Sequence, residues 1–140
     1  MRTLLLCLVL SFPLLCMAEV FRCGEPKGIA MWSLQNHKVA PDGFAGVQPV
    51  VIVEGAEMTI VWGDTKQTNP GAPDKVWKAA VFLHTEDTIS GVAVDDGPRG
   101  SASMLYTIDI KRGYLYFSTH KNSVLLNASG ASTFVSKCSQ

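Results

Sequence analysis

The chain has 140 residues, 47% of them apolar and 9% aromatic, with twelve basic and twelve acidic side chains. That charge balance gives no reason to expect nucleic acid or an anionic membrane as a partner. The length suits one domain able to bury its own core, without room for a second.

Residues 1–18 read as a secretory signal peptide. Arg2 precedes the apolar run Leu4–Leu15, and Cys16-Met17-Ala18 sets a small residue at the expected cut after Ala18. At twelve residues the run is too short to span a bilayer, which asks for about 20. The expected product is a secreted or periplasmic domain over residues 19–140, with no membrane span. Without Arg2 its formal charge is −1. Only Cys23 and Cys138 survive the cut, 115 positions apart and near the two ends. In an oxidising compartment they predict one disulfide joining the termini.

Phe21-Arg22-Cys23 reads as a short first strand, followed by the turn-rich Gly24–Gly28 and a second strand over Ile29–Leu34. Gln35–Gln48 reads as a loop, with Pro41-Asp42-Gly43 as its turn and with Phe44 and Val47 tucked onto the body. Val50–Val53 and Met58–Trp62 flank Glu54-Gly55-Ala56-Glu57 and predict a hairpin. Gly63–Lys75 holds two prolines and two glycines without periodicity and reads as a loop.

Val76–His84 and Thr88–Val94 predict another hairpin, with Gly91 marking a bulge or a barrel corner. Asp95–Gly100 reads as a turn cluster. In Met104–Ile110, Met104, Tyr106, Ile108 and Ile110 share one face, while Leu105, Thr107 and Asp109 share the other. This alternation is that of a half-buried strand. Gly113 supplies a positive φ for the turn into Tyr114–Thr119, where Leu115 and Phe117 oppose Tyr114 and Tyr116. Lys121–Ser132 reads as loop, and Thr133–Cys138 as the last strand.

Eight or nine short strands with regular turn signals and no amphipathic helix predict an all-β fold. The expected form is a small antiparallel meander barrel closed by the terminal disulfide, with a β-sandwich as the alternative.

No motif identifies a reaction, so no enzyme is predicted. His37, His84 and His120 are isolated, without the short ligand spacings of a zinc site, and no metal or other cofactor is expected. Ser118 and His120 stand two apart, about 7 Å along a strand. Asp109 across the hairpin would complete a triad on paper, but neither a nucleophile elbow nor an oxyanion loop accompanies them. Asp109 reads more simply as a cap of its turn, paired with Arg112. Trp32, Trp62 and Trp77, with Phe82, Tyr106 and Phe117, either fill the barrel or leave one small pocket. Of these, Trp62, Trp77, Tyr106 and Phe117 are the candidate ligand contacts, and Asp109, Arg112 and His120 the candidate polar ones.

Gly100-Ser101-Ala102-Ser103-Met104-Leu105-Tyr106 resembles the Ser/Gly-rich segment ending in Tyr of the bacterial C-type lysozyme inhibitors. Those are small secreted β-barrels with a stapling disulfide. The likeness covers these seven residues only, and no Trp-x-Lys-Gly element follows them, so no residue's role is carried over. The function expected is a non-enzymatic binding module for a partner protein or a small apolar ligand. The alternative is a secreted enzyme inhibitor acting through a loop such as Arg99–Ser101, and a hydrolase comes last.

Overall fold

A computed structural model describes residues 18–44, 46–63, 75–98 and 100–140. The signal-like segment and most of the Gly63–Lys75 loop lie outside these residues. Ten strands follow in order: β1 (Glu19–Cys23), β2 (Lys27–Trp32), β3 (Val39–Gly43), β4 (Gln48–Glu54), β5 (Glu57–Gly63), β6 (Lys75–His84), β7 (Thr88–Gly97), β8 (Gly100–Asp109), β9 (Tyr114–Ser123) and β10 (Ala128–Ser139). All neighbours pair antiparallel. Eight of the strands close a barrel in the order β1-β4-β5-β6-β7-β8-β9-β10, and β10 returns to β1 at Arg22–Ser139 and Cys23–Cys138.

The expected closed barrel is therefore present, with its two cysteines on directly paired residues. They are joined by a disulfide across a Cα–Cα distance of 4.0 Å. The remaining strands lie outside the barrel: β2 pairs with β10 over Gly130–Val135, and β3 pairs with β2. One edge of β10 thus serves β2 along most of its length and β1 at its end.

The alternation read from the sequence decides which side chains enter the barrel. Met104, Tyr106 and Ile108 of β8 face inward, as do Leu115 and Phe117 of β9. They meet Val51 and Val53 of β4 and Met58, Ile60 and Trp62 of β5. Phe44 and Val47 tuck in as expected: Val47 is buried, and the Phe44 ring stacks on Trp62 at a centroid distance of 5.3 Å. At Gly28 on β2, close packing on β10 leaves no room for a side chain, since a Cβ would run into the Thr133 carbonyl and the Phe134 ring.

Four local expectations are corrected. Pro41-Asp42-Gly43 is not a turn but most of β3. A strand with one neighbour needs only half of its N–H groups, so it tolerates a proline. Asp95–Gly97 and Gly100 belong to β7 and β8, paired as Asp95–Ala102, Asp96–Ser101 and Gly97–Gly100. Their charges stay in solvent while the backbone continues the ladder.

The last strand starts at Ala128 rather than Thr133, because β9 pairs along all of Ala-Ser-Gly-Ala-Ser and β2 joins from Gly130 on, overriding its low strand preference. Finally, Phe82 is 64% exposed and does not join the core. Trp77, Ala79 and Val81 pack toward the core, so alternation along β6 puts Phe82 on the outer face, beside the register shift between Val81 and Leu83.

Gly113 does take a positive φ, 69°. Its N–H donates to the Asp109 carbonyl at 2.8 Å, and its own carbonyl accepts the Cys138 N–H at 2.8 Å. A Cβ there would stand 2.9 Å from the Cys138 carbonyl oxygen. Gly113→Ala is expected to destabilise by about 1–3 kcal/mol through backbone strain and this contact. Equilibrium urea unfolding checks it, and an unchanged or raised midpoint would contradict it.

Candidate functional site

The four ligand-contact candidates take their places around the barrel core. Trp62, Tyr106 and Phe117 are buried, and Trp77 packs against them half-buried. Phe117 is the hub: its ring lies 5.3 Å from Trp62, 5.8 Å from Tyr106 and 4.8 Å from Phe134. The Tyr106 hydroxyl donates to the Met104 Sδ at 3.1 Å, and burial raises its pKa, so it stays protonated. These aromatic rings fill the space between the strands.

The polar candidates separate. Asp109 caps the β8–β9 turn: its Oδ1 accepts the Arg112 N–H at 2.9 Å and its Oδ2 accepts Arg112 Nη1 at 2.9 Å. The Arg112 side chain, then its backbone N–H, holds this carboxyl below its ordinary pKa and keeps it ionised. His120 lies on the outer face of β9, opposite Ser103 of β8 and Ala131 of β10. Ser118 shares that face. Asp109, however, is paired with Tyr114, six positions from His120 along β9 and therefore roughly 20 Å away. The three residues of the paper triad do not converge.

Of the other histidines, His84 Nε2 lies 2.8 Å from Glu19 Oε1 at the opposite end of the barrel. His37 lies in the β2–β3 connection with φ 56°. Among the described residues no group of three or more His, Cys, Asp or Glu gathers at a metal-binding distance. No helix there is long and apolar enough to cross a membrane. Of the loop proposed to insert into an enzyme, Arg99 lies outside the described residues, and Ser101 is part of β8.

The feature that residue-by-residue reading missed is a trough on the outer face of the sheet. Register sets Val94, Ser103, His120, Ala131 and Met31 side by side across β7, β8, β9, β10 and β2. Ser103 and Ala131 are small and flank His120 in the middle of this row, Val94 and Met31 stand at its ends, and with His37 they line a cleft of about 470 Å³. A smaller depression of about 170 Å³ continues it between Ile29, Ser118 and Thr133, and His120 lines both. The trough thus offers apolar walls, hydroxyls and one imidazole on its floor. This is the chemistry of recognition by a few placed polar groups within an apolar surround.

No protein-family model matches the chain, and a search of curated proteins finds no relative.

Proposed function

We propose that this is a secreted, non-enzymatic binding module, exported after cleavage near Ala18, whose contact surface is the trough over β7–β8–β9–β10–β2. The observation that carries this reading is the row Val94–Ser103–His120–Ala131–Met31, which lines a cleft of mixed apolar and polar character on the outer face of the sheet. The aromatic packing inside the barrel turns the reading away from a ligand held in the interior and toward a protein segment laid across the outside. Ile29 and Met31, 46% and 39% exposed, would give such a segment apolar contact, and Ser103 and His120 would give it hydrogen bonds.

The test is native mass spectrometry of the protein purified from its own host's periplasm or medium, beside an Ala131→Trp variant that fills the trough. The expected result is a bound partner on the wild type that is missing from the variant, with unchanged circular dichroism. A wild type that carries nothing, or a variant that keeps the same partner, would overturn the reading.

A further inference from the structure

The β9–β10 hairpin ends in Val124-Leu125-Leu126, three consecutive aliphatic residues that are 65%, 73% and 62% exposed. The turn itself does not use these side chains. It is closed by the Leu126 N–H donating to Ser123 Oγ and by the Asn127 N–H donating to the Val124 carbonyl, both at 3.3 Å. Polar residues ordinarily occupy such a tip.

The β2–β3 connection stands beside it, tied by the Ser129 N–H donating to Ser33 Oγ at 3.0 Å. The next residue, Leu34, is 64% exposed. Four large aliphatic side chains therefore project from one end of the molecule. Just behind them in the chain come two exposed lysines, Lys121 before the β9–β10 tip and Lys38 after Leu34. Among the described residues, Asp95 and Asp96 of this end are on β7, separated from β9 by β8.

We propose that this end docks on a lipid bilayer, with Leu34, Val124, Leu125 and Leu126 entering the boundary between headgroups and acyl chains and Lys38 and Lys121 meeting anionic headgroups. The shape and composition favour lipid over a protein partner. The ridge is convex and purely aliphatic, whereas protein hot spots are mostly Trp, Tyr and Arg fitted into complementary pockets. A fluid bilayer accepts a convex apolar tip of any outline, and a basic collar behind an apolar insert is the pattern of interfacial binding. The chain's overall charge balance does not oppose this, because attraction at a membrane surface is local, within about 10 Å. Lys121 also lines the trough, but Leu34, Val124, Leu125 and Leu126 do not, and the proposal stands or falls on them.

The experiment is co-sedimentation of the secreted protein with phosphatidylcholine vesicles, with and without phosphatidylglycerol. It is paired with sedimentation velocity in the absence of lipid. The wild type is expected to bind, more tightly to the anionic vesicles. Leu125→Asp/Leu126→Asp should lose about tenfold or more in partitioning, with an unchanged melting temperature because both side chains are already in solvent. Lys38→Gln and Lys121→Gln should each cost about fivefold, on anionic vesicles only. No binding to either vesicle, or binding unaffected by the double aspartate variant, would overturn the proposal. So would self-association of the wild type that the double variant abolishes, since the tip would then be an interface between copies of this chain.

Discussion

A Cys23→Ser/Cys138→Ser protein is expected to melt roughly 15 °C below the wild type, the largest effect foreseen for any change at the barrel's seam. The two cysteines are 115 positions apart, and in the chain-entropy account a loop of that length stabilises by about 4–5 kcal/mol. The seam explains why little else would compensate. Residues β1 and β10 pair directly only at Arg22–Ser139 and Cys23–Cys138, while every other neighbouring pair in the barrel shares at least four positions. Both sulfur-bearing residues are also buried, so the serine hydroxyls would enter an apolar site. Calorimetry of the double variant checks this, and a melting temperature within a degree or two of wild type would show that the hydrogen-bonded seam suffices alone.

Phe117→Ala is expected to cost about 3–5 kcal/mol, at the upper range for a buried aromatic residue. Phe117 is 2% exposed and stands amid the rings of Trp62, Tyr106, Phe134 and Phe44, the last at 6.0 Å. Its loss removes one buried side chain and also the ring-to-ring geometry of four others, and the stiff surrounding ladders limit collapse into the space. Chemical denaturation gives the number. A loss under about 1 kcal/mol would mean that the remaining rings repack freely and that the centre of the barrel is plastic.

Much of the barrel was legible because its information is local. The alternation of Met104, Tyr106 and Ile108 against Leu105 and Thr107 names the inner face directly. Glu54-Gly55-Ala56-Glu57 and Gly113 announce their turns, and two cysteines near the ends leave one disulfide to draw. What stayed hidden depends on partners far away in sequence. Nothing within Val39–Gly43 states that β2 offers it an edge, so Pro41 reads as a turn until its neighbour is known. Ala128–Ser132 has poor strand preference by itself and becomes strand because β9 pairs along all of it and β2 from Gly130 on.

The trough is hidden for the same reason. Ser103, His120, Ala131 and Met31 are unremarkable one at a time, and only the register across four strands sets them in a row. Phe82 shows the opposite failure: its size suggests a core residue, whereas alternation from Trp77, Ala79 and Val81 puts it on the outer face.

The position of β10 has a bearing on how the molecule comes into being. The strand that comes last of the ten in chain order is the one against which residues of β1, β2 and β9 must all be laid, and its positions at Cys138 and Ser139 close the ring on β1. Until Ala128–Ser139 are available, β1 lacks a neighbour on one side and β2 has only β3, so a chain without them can form hairpins but no enclosed interior. Assembly is thereby tied to the arrival of β10, with contacts of high sequence separation formed late and folding correspondingly slow. The first residues of the domain wait, unpaired along that edge, for the last.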